Sequence, residues 1–206
     1  QGYTQTTPLQ LCQMTAQLAN GGFKIYPKII VEEDSKTSEE IRFIMNENRK
    51  QLNKKDSRLK DTTKLLEFLD KKEHEALFKS SKNINLVREA MFASTNEIRG
   101  TSYKSRIEDP KYQFAGKTGT SQVRRITKAA RELDLSTSEI PYNERDHALY
   151  IAFGPYKNPR YALSIVIEHG GSGSSAAAPI AKKLFKLIID RHELRVKKTK
   201  QNDLET

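Results

Sequence analysis

Apolar positions recur along this chain in three distinct regimes, each predicting different structure. Between residues 7 and 22, Leu11, Met14 and Leu18 fall three and four apart, the period of a helix with one buried face. Thr7 stands where an N-cap belongs, Pro8 takes the first helical position, and Asn20-Gly21-Gly22 ends the run. Phe23 to Val31 reads as extended, with Pro27 favouring an edge position. From 32 to 83 the pattern changes: Lys, Glu, Asp, Asn and Ser dominate, and the block is almost free of Gly and Pro. Thr37 with Glu40 forms a capping box ahead of Ile41, Ile44 and Met45, and Leu65, Leu66, Leu69, Ala76 and Leu77 make a second stripe. This block predicts a charged helical insertion carried on the surface of a main domain, with a disordered insertion as the alternative.

Globular patterning returns at residue 84. A short helix is predicted from about Ile84 to Ser94, with Val87, Ala90 and Met91 inward, followed by a turn at Gly100-Thr101. Tyr112 to Val123 reads as extended despite two glycines, and residues 124–146 as polar loop with some helix. The clearest hairpin joins His147–Phe153 to Arg160–Glu168 through Gly154-Pro155-Tyr156-Lys157-Asn158-Pro159. Gly170-Gly171-Ser172-Gly173 breaks the second strand. A closing helix is then predicted over Ala176–Arg191, with Ile180, Leu184, Leu187 and Ile188 as its apolar face and Pro179 in its first turn. Strands, a hairpin and a helix laid on the sheet make an α+β layout: 1–31 and 84–194 as the domain, 32–83 as the insertion, and 195–206 as a flexible basic tail.

Composition narrows the classes. The chain has 206 residues with 36 Lys+Arg against 26 Asp+Glu, a formal charge of +10. Basic pairs such as Lys54-Lys55, Lys71-Lys72 and Arg124-Arg125 are scattered, and no helix-turn-helix, ribonucleoprotein or zinc-finger spacing accompanies them. No nucleic-acid partner is expected, and the charge suits an anionic surface. The single cysteine, Cys12, excludes a disulfide framework and a cysteine zinc cluster, and reads as a small core residue on the first helix. His147 and His169 flank the hairpin with no third ligand at suitable spacing, so no metal is expected. The chain starts at Gln1-Gly2-Tyr3 rather than Met, which points to a piece of something longer.

The chemistry-bearing string is Lys117-Thr118-Gly119-Thr120, inside the Tyr112–Val123 segment. On a strand, Lys117 and Gly119 face one way and Thr118 and Thr120 the other. Gly119 leaves the backbone uncovered, so an extended ligand can lie alongside and pair with it. Lys117 supplies a fixed positive charge, Thr120 a hydroxyl for a carboxylate, and a backbone N–H here can stabilise an oxyanion. By itself the four-residue string is equally an ordinary edge strand with a solvent-facing lysine.

Three runs surround it. The first is Gln1-Gly2-Tyr3 with Thr7-Pro8-Leu9-Gln10-Leu11 and Ala19-Asn20-Gly21-Gly22; the second runs from Met91 through Gly100-Thr101 to Phe114-Ala115-Gly116-Lys117-Thr118-Gly119-Thr120-Ser121-Gln122-Val123. The third is His147–Pro155, Asn158-Pro159-Arg160-Tyr161-Ala162, Glu168-His169-Gly170-Gly171-Ser172-Gly173 and Ala176-Ala177-Ala178-Pro179-Ile180-Ala181. Together they resemble the C-terminal half of the transpeptidase domain of class B penicillin-binding proteins, with the last run closer to the elongation-type subgroup, penicillin-binding protein 2. The resemblance covers about 1–31 and 85–190. It implies the penicillin-binding, β-lactamase-like serine transpeptidase fold, and an acyl transfer in which the serine of an S-x-x-K motif attacks the D-Ala-D-Ala carbonyl of a peptidoglycan stem peptide. It further implies Lys117 as a catalytic residue in the proton network and in drawing the substrate carboxylate. Thr120 would supply an oxyanion N–H, with Thr118, Gly119, Thr120 and Ser121 binding substrate. The implied partners are stem peptides, β-lactams, the cell-elongation machinery and a glycosyltransferase, at the periplasmic face of a bacterial inner membrane through an upstream anchor, with no cofactor.

Ser57-Arg58-Leu59-Lys60 fits S-x-x-K literally, and Ser81-Lys82-Asn83 and Ser94-Thr95-Asn96 fit S-x-N. All three read as chance matches: Ser57 lies in the charged block, and Asp61-Thr62-Thr63-Lys64 offers no apolar face for a buried helix. In the family, the segment resembling residues 1–22 follows both motifs, so the true pair is expected ahead of Gln1. A non-catalytic penicillin-recognition domain of a sensor and a basic nucleic-acid binder stand as the alternative functions.

Overall fold

The computed structural model describes residues 5–27, 76–123 and 136–205. Helix α1 spans Pro8–Ala19, and its start is the predicted one: the Thr7 side chain accepts from the Gln10 amide while the Gln10 side chain accepts from the Thr7 amide, a closed capping box. Its inner face differs in part from the expected one, although Leu18 packs against the core as expected. Thr15 and Ala19 are buried and Met14 is exposed, so small residues bring α1 close to its neighbours. The Asn20 carboxamide closes the end, accepting from the amides of Gly22 and Phe23, with Gly21 and Gly22 at positive φ.

Phe23 forms an antiparallel bridge with Ala76, and the Leu77 amide donates to the Gly22 carbonyl at 2.9 Å. Ala76 and Leu77 thus belong to an extended contact and not to the amphipathic stripe expected of them. Phe23 and Ala76 therefore sit side by side although they lie far apart in the chain. The remaining expectations for residues 28–75, including Ser57 and the Thr37–Glu40 capping box, lie outside the described residues, as do Arg124 and Arg125.

Helix α2 spans Ser81–Asn96, three residues earlier than expected at its start and two later at its end. Its buried stripe is Ile84, Arg88, Met91 and Thr95: Met91 faces inward as expected, whereas Val87 and Ala90 face outward. Two polar residues on the stripe have specific company. The Arg88 guanidinium lies 5.6 Å from the centroid of the Phe153 ring, and Thr95 joins a hydroxyl cluster described below.

Three antiparallel strands follow in the order β1 (Ala115–Ser121), β2 (His147–Gly154) and β3 (Tyr161–Ile167). The β2–β3 hairpin has the expected bounds within one residue. Helix α3 runs from Ala178 to Glu205 after a single π-helical turn at Gly173–Ala177, so residues 195–205 are helical where a flexible tail was expected. Ala178, Ala181, Phe185 and Ile189 are its buried residues, whereas Ile180 and Leu187 are exposed. The core between α3 and the sheet joins Phe114, Tyr150, Ala152 and Phe185, with the Phe114 and Phe185 rings stacked at 4.8 Å. The other sheet face packs Ala115 and Phe153 against Ala19 and Met91. The result is an α+β fold with helices on both faces of the sheet.

A tie at the surface joins the segment entering β1 to α3. The Tyr112 hydroxyl donates to the Asp190 carboxylate at 2.5 Å and Lys111 pairs with Asp190 and Glu193. Tyr112 foremost, and then Lys111, hold the Asp190 carboxyl below its usual range, while Tyr112 foremost, then Glu193 and Asp190, hold the Lys111 ammonium above its own.

Candidate active site

The five residues singled out in the sequence, Lys117 to Ser121, form the outer part of β1. The strand begins buried at Ala115 and Gly116 and emerges at Lys117. The register sets Lys117 opposite Ile151, Thr118 opposite Tyr150, Gly119 opposite Leu149, Thr120 opposite Ala148 and Ser121 opposite His147. Thr118 and Thr120 therefore share the face of Tyr150 and Ala148, and Lys117 and Gly119 the opposite face, the alternation expected of a strand. Lys117 is exposed, its ammonium donating to the Thr118 carbonyl at 2.9 Å. Among the described residues no carboxylate pairs with it.

β1 is an edge strand among the described residues, and its free edge is divided. Asn96 Nδ2 donates to the Phe114 carbonyl at 2.9 Å, and Thr95 Oγ1 makes a longer contact of 3.5 Å with the Gly116 carbonyl. Backbone groups two residues apart in a strand face the same edge, so the N–H and C=O of Thr118 and Thr120 face the edge that α2 occupies further back. The edge is thus taken by side chains up to Gly116 and carries no strand partner from Thr118 onward among the described residues. Gly119 adds to the opening: a Cβ there would meet only the Leu149 Cβ, at 3.3 Å.

Behind β1 lies a buried hydroxyl cluster that the sequence reading missed. Tyr150 Oη sits 2.9 Å from Thr95 Oγ1 and 3.0 Å from Ser102 Oγ, and Ser102 also reaches the Ser94 carbonyl at 3.1 Å. Gly116 is what lets the phenol through, since a Cβ on it would stand 2.3 Å from Tyr150 Oη. Burial raises the Tyr150 pKa, outweighing the lowering effect of Ser102 and Thr95. The folded chain therefore holds this proton where the unfolded chain has begun to lose it. The contribution to stability is complete below the unfolded value near 10 and is lost as the pH rises through the higher folded value. Tyr150→Phe is expected to cost about 1–3 kcal/mol at neutral pH through its two hydrogen bonds, and to flatten the decline in stability above pH ~10, as read by denaturant melts of the folded protein across that range.

A second hydroxyl line reaches the site: Ser94 Oγ lies 3.2 Å from Thr101 Oγ1, which lies 3.3 Å from Thr118 Oγ1. The sequence singled out Ser94-Thr95-Asn96 as a chance S-x-N string; the structure places all three on α2 against β1. The polar Thr95, at helical spacing from Ile84 and Met91, was the signal available.

On the α3 side, the π turn presses on the site. Gly173 packs against the backbone of Gly119 and Leu149 so closely that a Cβ would lie 2.3 Å from the Leu149 oxygen and 2.8 Å from the Gly119 oxygen. The segment leading into the turn is tied down by the two histidines. The His169 amide donates to His147 Nδ1 at 2.9 Å, His169 Nδ1 lies 3.1 Å from the Arg145 carbonyl, and the rings meet edge to face at 4.9 Å. His169 itself adopts φ 55°, and Gly171 φ 76°. Among the described residues no cluster of three or more His, Cys, Asp or Glu side chains could hold a metal ion. Cys12 is half-buried, its thiol directed at the Ala162 carbonyl and pushed up in pKa by burial.

A sequence model of the penicillin binding protein transpeptidase domain matches residues 1–186. The chain belongs to that family. It is similar to the peptidoglycan D,D-transpeptidase MrdA of Salmonella typhimurium, 32% identical over 191 residues, which make up 92% of this chain and 26% of that protein. A shorter match to MrdA of Acinetobacter baumannii is 40% identical over 79 residues, 38% of this chain and 11% of that protein. The chain therefore spans about a quarter of the length of the first of these relatives. Among solved structures, Pseudomonas aeruginosa PBP2 in complex with WCK 5153 covers 91% of this chain at 28% identity, with a TM-score of 0.56 and 31% of that chain aligned. The ceftriaxone acyl-enzyme complex of Mycobacterium tuberculosis penicillin-binding protein A has the same fold, with a TM-score of 0.52, 20% identity, 90% of this chain and 33% of that one. Penicillin-binding transpeptidases are thus the family to which the resemblance in the three sequence runs pointed, and their α+β fold is the one seen.

Among the described residues no helix is long and apolar enough to cross a membrane.

Proposed function

We propose that this chain is the substrate-side part of an elongation-type peptidoglycan D,D-transpeptidase. The observation that carries it is the divided edge of β1: taken by α2 side chains as far as Gly116, and without a strand partner among the described residues at Thr118 and Thr120, within the Lys-Thr-Gly-Thr string. An extended peptide ending in a carboxylate fits that edge, main chain to main chain, with Lys117 and the Thr120 hydroxyl for its negative end. The Thr120 N–H lies on the same edge, where it can hold the oxygen of a carbonyl under attack.

In the reaction so assigned, a serine hydroxyl adds to the penultimate D-Ala carbonyl and the terminal D-Ala leaves with a proton. The amine of a second stem peptide then takes the acyl group and restores the serine. Lys117 supports the proton network and attracts the carboxylate, Thr118, Gly119 and Ser121 shape the groove, and Thr120 binds the carboxylate and the oxyanion. β-Lactams present the same carbonyl and carboxylate, and acylate the same serine. The serine is expected in the part of the relatives that this chain does not span. The site of action is the periplasmic face of a bacterial envelope, alongside the elongation machinery and a glycosyltransferase.

Fluorescent penicillin tests the assignment. The chain joined to the remaining transpeptidase region is expected to label covalently, and the chain alone is not. Labelling of the isolated chain at Ser57 would overturn the placement of the nucleophile. No labelling of the joined, folded protein would favour a different function; affinity for nucleic acid that falls steeply with salt and is indifferent to Lys117→Ala would identify it.

A further inference from the structure

We propose that Ser94-Thr95-Asn96, at the end of α2, is a positioning element for the site strand. The three consecutive residues meet β1 in reverse order at every second position: Asn96 at the Phe114 carbonyl, Thr95 at the Gly116 carbonyl, and Ser94, through Thr101, at the Thr118 hydroxyl. Asn96 and Thr95 thus meet backbone carbonyls two residues apart on one edge, and Ser94 reaches the next such residue only through Thr101. One assignment of protons satisfies the buried part. The single Thr95 proton is shared between the Gly116 carbonyl and the Met91 carbonyl, 3.4 Å away; Tyr150 donates to Thr95; Ser102 Oγ donates to Tyr150, while the Ser94 carbonyl accepts from the Ser102 N–H. Tyr150 comes from β2, so the cluster locks β1 to its neighbour strand and to α2 at one point, one residue before Lys117.

The consequence is a fixed origin for the reactive part of the edge. Thr120 lies four residues past Gly116, on a strand with no partner of its own on that side among the described residues. Its N–H holds position only if the strand behind it cannot slide or twist. An oxyanion donor is useful only at its final distance, so small displacements act on the chemical step and little on the initial binding of the ligand. The inference rests on the reading given under the proposed function.

Stopped-flow acylation of the joined protein by a penicillin separates the dissociation constant of the first complex from the acylation rate constant. Thr95→Val keeps the shape and removes the hydroxyl. It is expected to lower the acylation rate constant about 10-fold or more, a loss smaller than the ~100-fold that a 1 Å misplacement can bring. The dissociation constant is expected to stay within about twofold, since the ligand itself loses no contact. Thr95→Ser restores the donor and is expected to recover most of the rate. Thr101→Val, on the exposed side, tests the same strand without touching the buried cluster and is expected to change the rate constant in the same direction by a smaller factor. Wild-type rate constants in both valine variants, or a Thr95→Ser variant as slow as Thr95→Val, would overturn the proposal. Failure of the wild-type protein itself to acylate would instead overturn the functional reading on which it rests.

Discussion

Gly173→Ala is expected to lower the stability of the folded protein by about 3 kcal/mol or more, and penicillin acylation at least ~100-fold at temperatures where the variant remains folded. The new Cβ would stand 2.3 Å from the Leu149 oxygen, 2.8 Å from the Gly119 oxygen and 3.2 Å from the Gly119 nitrogen. All three are backbone atoms in the middle of paired strands, so no side chain can swing aside to make room. The strain must instead lift the π turn from the sheet or push β1 and β2 out of place. Lifting the turn pulls Ala177 and Ala178 from their packing beside Phe114, Tyr150 and Phe185, an apolar loss added to the steric one. Pushing the strands moves Gly119 and with it the Thr120 N–H. Gly119→Ala is the contrasting variant: its Cβ meets only the Leu149 Cβ at 3.3 Å, so stability is expected to change by less than about 1 kcal/mol. Thermal unfolding and labelling rates on both variants check the pair. A Gly173→Ala protein as stable and as reactive as wild type would show that the turn does not support the site.

How much of this was visible in the sequence depends on which partner supplied the bulk at each contact. The β2–β3 hairpin was legible because its strands alternate and its loop carries Gly154, Pro155, Asn158 and Pro159. The start of α1 was legible because Thr7 and Pro8 act within one turn. The inner faces of α2 and α3 were not. On α3 the large aliphatics Ile180 and Leu187 point outward, while Ala178 and Ala181 let the helix approach a sheet that brings its own large side chains, Phe114 and Tyr150. A reading that ranks positions by hydrophobicity then selects a face rotated from the true one. On α2, Arg88 and Thr95 occupy inward positions because a Phe153 ring and a Tyr150 hydroxyl await them, partners 65 and 55 residues along the chain. The site string was legible as chemistry. Its supports, Gly173 behind it and Ser94-Thr95-Asn96 beside it, come from distant segments, and only the polar Thr95 at a stripe position of α2 marked one of them.

Lys117→Ala is expected to leave the fold intact and to reduce acylation by penicillin at least ~100-fold. The two halves of that result separate for a structural reason. The side chain is exposed and has no carboxylate partner among the described residues; its bonds there, to the Thr118 carbonyl and, at 3.5 Å, the Thr118 hydroxyl, lie within its own strand. Truncating an exposed residue of this kind typically changes stability by less than about 0.5 kcal/mol, so circular dichroism melts of the variant and wild type should nearly coincide. The chemistry has no such reserve. The ammonium is the charge next to the open part of the β1 edge, where a ligand carboxylate and the attacked carbonyl are expected to lie, and Ala offers neither charge nor donor in its place. Lys117→Arg keeps the charge but replaces a compact ammonium with a planar fork, which cannot donate along the same direction to the Thr118 carbonyl and a ligand together. It is expected to recover ligand affinity more than acylation rate. Raising the salt concentration should weaken the initial complex of the wild type and of Lys117→Arg, and have less effect on that of Lys117→Ala, because only the first two bring a fixed charge to the carboxylate. A folded Lys117→Ala protein that acylates at the wild-type rate would remove Lys117 from the site and, with it, the main chemical reason for assigning β1 to substrate.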